Sequence, residues 1–493
     1  MPGGDLGSRL AALSPERRRL LLRRIEAERD GPAAAEPPAP RLPLTAAQQR
    51  LWLAELTNPG NVAYNVFLPV RIDGPLDAAA LGRSLAAIVD RHDALRARFV
   101  EDAGTPAVVL APEGSFALEV RDLSHVQDRD EAERRLAEEE AARPFDLETG
   151  PLVRGLLAGW GPERATLLLT VHHVAVDNWS MGIFSRELRE LYSAALAGRP
   201  AALPAPGWRH REVVAWEAAR RERAWEAQLD YWREQLRGAP HRTEPPADRP
   251  RPQRPSFGGA RVGLRLDAAA TGALGELARR HGATLYMASV AALMTLLHRY
   301  TGQDDVVVGT DLVNRPRPEA ERTIGFFANQ VALRADLGGN PTAGELLERV
   351  AATCVGAYGN QEIPFQHVVR ALGRPRDLGH LPLFQVKLGF LHFPPGGLRL
   401  DGLRVTPLPA EGTAKFDVEA ILWVERGELT GFLEYSTDLF ERPTVELMAE
   451  RYRELLSAMA RDGERRILDV ALPGAAPVSE PRAAAAERFP FER

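Results

Sequence analysis

Apolar residues recur along this chain in two rhythms, one with the spacing of helices and one with the spacing of strands. Residues 76–99 carry apolar side chains at i, i+3, i+4 and i+7, which predicts an amphipathic helix. The segment RATLLLTVHHVAVD (164–177) is a short apolar run with β-branched residues, which predicts a buried strand. Residues 180–198 predict a further helix, and ERGEL (425–429) between two alternating runs predicts a hairpin turn.

The same order of elements occurs twice, which predicts two similar halves. We expect an N-terminal lobe at 42–198, a connecting helix and linker at 199–258, and a C-terminal lobe at 259–473. Strands, hairpins and helices together predict an α/β protein with mixed sheets flanked by helices. Residues 1–41 predict a leader helix and a Pro/Ala linker, and 474–493 a flexible tail. The leader helix is either frayed or a docking element for a partner.

Composition narrows the classes of function. The chain has 493 residues, 45% of them hydrophobic, and a net charge of -5, so nothing favours nucleic acid or an anionic membrane as a partner. Arginine and tryptophan are frequent at 199–258, but acidic residues alternate with them at helical spacing, which favours a bridging helix. One cysteine excludes an internal disulfide. With no signal peptide or membrane span in the sequence, we expect a cytoplasmic protein.

The stretch VHHVAVDNWS (171–180) holds the candidate chemistry. Adjacent histidines on a strand point to opposite faces, and no further ligand motif is present, so we expect no metal. One histidine facing a cleft suits acid–base work near neutral pH, and the alternative is a purely structural role for both histidines at the end of the strand. Asp177 could hold that imidazole, or it could pair with an arginine elsewhere. No GxSxG, P-loop or other nucleophile motif is present, which favours direct transfer between two bound substrates.

The stretch resembles the HHxxxDG motif of condensation domains of nonribosomal peptide synthetases, in the superfamily of chloramphenicol acetyltransferase. It occurs here as His172, His173, Asp177 and then Asn178. Six other motifs of that family have counterparts in the expected order, over roughly residues 42–473. They are LTAAQQRLW (44–52), RHDALRARF (91–99), WRHREVVAWE (208–217), TIGFFANQVALR (323–334), NQEIPFQHVV (360–369) and RDLGHLPLFQV (376–386).

The resemblance implies two acetyltransferase-like lobes in a V-shaped pseudo-dimer, with the histidine motif at their junction in a tunnel. A donor acyl group would enter on the phosphopantetheine of a partner carrier protein, and an amine or hydroxyl acceptor from the other side. The chain itself would bind no cofactor. His173 would be the general base or would orient the acceptor and stabilise the tetrahedral state.

The resemblance also assigns roles to the neighbours of His173. Asp177 would pair with Arg315 across the cleft, and His172 would pack inward. Trp179 and Ser180 would shape the tunnel wall. Asn329 and Gln361 would make either latch and loop contacts or contacts with substrate.

Asn178 departs from the family pattern, which has glycine there. Glycine tolerates positive φ and leaves room for a substrate arm, and asparagine is the next best residue for a left-handed backbone. We therefore expect the fold to survive and the added side chain to project toward the tunnel, with either a changed substrate preference or a degenerate site.

Nothing in the sequence resembles an adenylation or carrier domain, so we expect a free-standing condensation enzyme that meets its carriers in trans. Two other hypotheses stay open. One is a non-catalytic platform that recruits a tailoring enzyme to a carrier-bound peptide, and the other is an enzyme that uses acyl-CoA.

Overall fold

The computed structural model describes residues 40–474 except for 103, 316, 374–378, 392–396 and 410–411. The predicted leader helix and the tail from 475 onward lie outside the described residues. The strands in chain order are β1 (Leu42–Pro43), β2 (Asn65–Asp73), β3 (Ala97–Asp102), β4 (Thr105–Leu110), β5 (Glu119–Asp122), β6 (Val153–Gly161), β7 (Arg164–His172), β8 (Gly258–Leu266), β9 (Asp305–Leu312), β10 (Asn329–Asp336), β11 (Val386–Phe390), β12 (Arg404–Pro407), β13 (Gly412–Thr413), β14 (Val418–Glu425) and β15 (Glu428–Ser436).

The helices cover the faces of the sheets. In chain order they are α1 (Ala46–Thr57), α2 (Ala78–Arg91), α3 (Arg129–Ala141), α4 (Asn178–Leu196), α5 (His210–Gln235), α6 (Ala268–Arg280), α7 (Leu285–Thr301), α8 (Pro318–Glu321), α9 (Ala343–Gly359), α10 (Phe365–Ala371) and α11 (Arg442–Arg461). Short 3₁₀ turns lie at Asp93–Arg96 and Ile467–Asp469.

Two large sheets organise the described chain. A five-stranded sheet has the order β12-β2-β7-β6-β5, and a seven-stranded sheet has the order β10-β9-β11-β14-β15-β8-β13. β11 pairs in parallel with β9 and β14, and β5 in parallel with β6, whereas the other pairs are antiparallel. The mixed α/β architecture predicted from the sequence is therefore confirmed, as is the hairpin between β14 and β15.

One strand crosses between the two halves of the sequence. β12 pairs antiparallel with β2, so a segment from late in the chain forms the edge of the five-stranded sheet. Leu398 and Leu400, just before β12, are buried in the core of that same sheet. The division into lobes at 42–198 and 259–473 stays a prediction, and 398–407 belongs by packing and pairing with the first sheet.

Two predicted elements are shorter than expected. The helix predicted at 76–99 is wrong beyond Arg91, because His92 adopts an extended backbone and a 3₁₀ turn then leads into β3. Here the buried His92 ring bonds to Glu187 at 2.9 Å, which fixes the break. The strand predicted at 164–177 ends at His172, where its pairing with Asn65 of β2 ends.

A buried ion pair joins the segment after β9 to the start of α4. The side chains of Arg315 and Asp177 are 1% and 4% exposed, and Nη2 of Arg315 donates to Oδ1 and Oδ2 of Asp177 at 2.8 and 3.0 Å. Asp177 also accepts from the backbone N–H groups of Ser180 (2.8 Å) and Phe327 (3.0 Å). With several donors around one carboxylate, the burial of its charge is compensated. We call this arrangement the Asp177–Arg315 clamp.

We expect Arg315→Ala to lower the free energy of unfolding by about 3–5 kcal/mol, because it leaves a buried carboxylate without its cation. The matched control is Arg189→Ala, which removes an ion pair with Asp401 of the same length, 2.8 Å, whose side chains are half exposed. That control should have little or no effect, because water screens an exposed pair. Urea denaturation of both variants at pH 7 measures the difference, and equal losses would contradict the prediction.

Candidate functional site

His172 and His173 separate because the strand ends between them. His172 is the last residue of β7 and is 1% exposed, with Nδ1 accepting from the backbone N–H of Val174 at 3.1 Å. Its ring packs edge-on against Phe145. Burial, aided by the neighbouring His173, lowers the pKa of His172 to about 3. His172 thus packs inward, as a neutral ring, as expected from the resemblance.

His173 begins a turn that ends at Val176. Its backbone N–H donates to the carbonyl of Tyr64 at 2.8 Å, which continues the pairing of the two chain segments past the strand. The Nδ1 atom lies 2.6 Å from the carbonyl oxygen of Val176. A carbonyl oxygen can only accept, so the proton is on Nδ1 and the lone pair of Nε2 is left for another partner.

The surroundings of His173 keep its ring neutral. Burial and, to a smaller extent, the positive charge of Lys415 lower the pKa of His173 to about 4. The Val176 carbonyl, Asp311 and Asp177 act in the opposite direction but offset only part of this effect. At neutral pH the imidazole is therefore a hydrogen-bond acceptor through Nε2. The ring is held in place from the side by Phe326, at 5.0 Å between centroids.

Two cavities share His173 in their lining. The larger has a volume of about 540 Å³ and the smaller about 250 Å³. The residues common to both linings are His173, Asp311, Ala328, Lys387 and Lys415. His173 therefore stands where two chambers adjoin, and a reacting group from each could reach the same imidazole.

The two cavities differ in chemistry. The larger is lined mainly by apolar side chains, among them Leu51, Phe326, Phe365, Phe384 and Phe416. The smaller carries charged and polar side chains, among them Asn65, Arg261, Glu419 and Glu434. An apolar group fits the first, whereas a polar or charged group fits the second.

The clamp lies behind the smaller cavity. Asp177 and Trp179 line this cavity, and the indole N–H of Trp179 donates to the carbonyl of Glu321 at 2.9 Å. Ser180 is fully buried, and its hydroxyl bonds to the carbonyl of Gly325 at 2.7 Å and accepts from Arg315 at 2.8 Å. Trp179 thus forms part of the wall as expected. Ser180, which was expected in the wall too, lines neither cavity and is part of the clamp instead.

The backbone at Asn178 differs from the expectation. Asp177 is the extended N-cap of α4 (φ -121°, ψ -179°), and Asn178 is already the first helical residue. Asn178 is absent from the positive-φ residues of the described chain, so the expected left-handed backbone is wrong. Its side chain lines the smaller cavity. Asparagine in place of glycine therefore changes the space in that cavity and not the course of the chain.

Asn329 and Gln361 hold a loop to β10. The Asn329 amide donates to the carbonyls of Gln361 (2.8 Å) and Ile363 (2.7 Å) and accepts from the backbone N–H of Phe365 (3.1 Å). The Gln361 side chain donates to the carbonyl of Tyr358 at 2.9 Å. Of the two open alternatives, these bonds favour latch and loop contacts.

A group of charged residues beside His173 was missed from the sequence. Lys387 is 5% exposed and lies 2.5 Å from Asp311 and 2.8 Å from Glu419. Lys415 lines both cavities beside them. One signal was present, because Lys387 interrupts the otherwise apolar strand FQVKLGF.

Two further properties concern the described residues alone. Among the residues that the structure describes, no group of three or more His, Cys, Asp or Glu side chains is placed to hold a metal ion. No helix in the described part of the chain combines the length and apolar character that crossing a membrane requires.

Sequence comparison finds relatives over most of the chain. The profile of the family described as "Condensation domain" matches residues 39–477. Malpinin synthetase of Mortierella alpina is 40% identical over 433 residues, 86% of this chain and 6% of that protein. A linear gramicidin synthase of Brevibacillus parabrevis is 40% identical over 450 residues, 89% of this chain and 9% of that protein. The chain thus spans less than a tenth of the length of these two relatives.

Solved structures give the same result for the fold. The X-domain from teicoplanin biosynthesis is 30% identical with a TM-score of 0.79, over 89% of this chain and 99% of that one. The first condensation domain of the calcium-dependent antibiotic synthetase is 26% identical with a TM-score of 0.74, over 88% and 99%. Taken with the histidine motif and its two adjoining cavities, these matches establish that the chain belongs to the condensation-domain family of nonribosomal peptide synthetases, with its chloramphenicol acetyltransferase-like fold.

Proposed function

We propose that this chain transfers an acyl or aminoacyl group from the phosphopantetheine thioester of a carrier protein to an amine or hydroxyl acceptor. The observation that carries the proposal is the position of His173, whose Nε2 is unprotonated where two cavities adjoin. The family and the synthetases among the relatives support this class of reaction. The chain would bind no cofactor of its own, and separate carrier proteins would deliver the phosphopantetheine.

The reaction needs no covalent intermediate on the protein. The acceptor nitrogen attacks the thioester carbon, the new C–N bond forms, and the C=O electron pair moves onto oxygen. Nε2 of His173 accepts the proton from the nitrogen, and this proton goes to the thiolate when the C–S bond breaks. The products are an amide and a free thiol, and a hydroxyl acceptor would give an ester by the same steps. Holding both substrates at one imidazole contributes much of the rate.

A second candidate is a non-catalytic platform that recruits a tailoring enzyme. The observation in its favour is the similarity to the teicoplanin X-domain, for which a complex with OxyB is known. In this chain, however, the His173 ring is neutral, oriented by Val176 and open to both cavities. These features serve proton transfer and have no role in recruitment, so we favour catalysis.

We expect His173→Gln to lower kcat for amide formation by about 10²–10⁴-fold, because the acceptor proton loses its base. A separately produced carrier loaded with a candidate acyl group is mixed with an amine, and the product is followed by mass spectrometry. The matched control is His125→Gln, an exposed histidine outside both cavities, which should react as the wild type does. Equal turnover by His173→Gln and the wild type would contradict a role as base. No turnover by any of the three proteins, with retained affinity for a second protein, would instead support the platform.

The pH profile tests the lowered pKa of His173. The base works only when unprotonated, so kcat/KM should hold on going from pH 7 to about pH 5 and fall as the pH approaches about 4. Acceptor concentrations are expressed as the unprotonated amine, and circular dichroism at each pH verifies that the protein is folded. An acid limb centred near pH 6.5 would mean that the imidazole titrates as in water.

A further inference from the structure

Lysine is nearly absent from this chain. Of 62 basic residues only Lys387 and Lys415 are lysines, and the other 60 are arginines (62 − 2). Both lysines line both cavities beside His173. An ammonium is a compact point charge, whereas a guanidinium is a broad planar group with five donors. The one region that uses lysine is therefore the chamber around the imidazole.

The two lysines have different surroundings. Lys387 lies between Asp311 and Glu419, at 2.5 and 2.8 Å, so two carboxylates neutralise its charge. Burial alone would lower its pKa, but these carboxylates raise it well above its usual range. The charge of Lys387 is thus balanced within the protein, so we do not expect it to stabilise a charge on the substrate.

The ammonium of Lys415 is not paired with a carboxylate of the described residues. No carboxylate oxygen of a described residue lies within 4.0 Å of its ammonium, which is 5.4 Å from the centroid of the Tyr64 ring. Its half-buried side chain lines both cavities. Burial lowers the pKa of Lys415, partly offset by the more distant Glu419. Its positive charge reaches both histidines of the motif, since it lowers the pKa of each.

We propose that the Lys415 ammonium binds the negative oxygen that develops on the acyl carbonyl carbon during the transfer. This inference rests on the proposed function. When the nucleophile adds to the thioester carbon, the C=O electron pair becomes an oxyanion, and a preorganised cation in a confined cavity stabilises it. When the C–S bond breaks, the pair returns to the carbonyl and the ammonium is unchanged. Lys415 neither gains nor loses a proton in this step.

Position distinguishes Lys415 from the arginines of the cavities, since Arg370 lines only the larger cavity and Arg261 only the smaller. Arg50 lines the larger cavity only, and its guanidinium lies over the Phe326 ring at 5.5 Å. The donor and the acceptor enter from different cavities, so the reacting carbon has to lie where the two cavities meet, beside His173. Lys415 shares that position and Arg50 does not.

The test compares Lys415→Gln and Lys415→Arg with the wild type in the carrier assay, with an amine acceptor that has no carboxylate. We expect Lys415→Gln to lower kcat by about 10²-fold with little change in KM, because the lost contact exists only in the transition state. Lys415→Arg keeps the charge and should recover part of that loss. Arg280→Met removes an exposed cation outside both cavities and should leave kcat unchanged.

Several outcomes would overturn the inference. Equal kcat for Lys415→Gln and a turning-over wild type would exclude Lys415 and leave the proposed function intact. A loss seen only with acceptors that carry a carboxylate would show that Lys415 binds the acceptor instead. Acylation of Lys415 in a peptide digest would show that it reacts as a neutral amine. A wild type without turnover would remove the proposed function and this inference together. Melting temperatures within a few degrees of each other verify that the variants fold.

Discussion

The geometry of the site depends on one buried carboxylate. Asp177 caps α4 through Ser180, binds Arg315 from the segment after β9, and accepts from Phe327. The turn that carries His173 ends one residue before Asp177, so the clamp fixes that end of the turn. The other end is held by the bond from the His173 backbone N–H to the Tyr64 carbonyl. An uncompensated charge in that position would be costly, so all three partners are needed together. In the proposed reaction, Asp177 would act by holding the backbone that orients the His173 imidazole.

The spacing of apolar residues predicted those helices and strands that pack or pair with segments close to them in sequence. The β14–β15 hairpin and α4 follow directly from their patterns. β2 was missed because Pro69 lies inside it, although this strand is central and pairs with both β7 and β12. β12 was missed for another reason. It is four residues long, and its pairing with β2 joins residues more than 300 positions apart, which no local pattern encodes.

The sequence predicted the site only as far as its motif extends. The resemblance predicted His173 as the central residue and an ion pair between Asp177 and Arg315, and the structure contains that ion pair. The left-handed backbone at Asn178 was inferred from a glycine preference. Because the N-cap Asp177 is extended and Asn178 is already helical, a left-handed backbone is not needed here. The replacement of glycine by Asn178 therefore affects only the volume of the smaller cavity. Lys415 was missed because it enters the chamber from a segment some 240 residues away, although it is one of only two lysines in the chain.

In the transfer that we propose, Lys415 and His173 would be coupled through the charge that the reaction creates. Before the reaction, the ammonium disfavours a second positive charge, which contributes to the low pKa of the imidazole. A base of that kind holds a proton weakly. An oxyanion held by the ammonium would offset its charge, so the affinity of Nε2 for a proton would rise just as the attacking nitrogen becomes acidic. Because this interaction is mutual, protonation of His173 also stabilises the oxyanion. The lowered pKa of His173 in the resting protein is therefore compatible with the proposed role as a base, since the charge that the substrate acquires would raise it during the transfer.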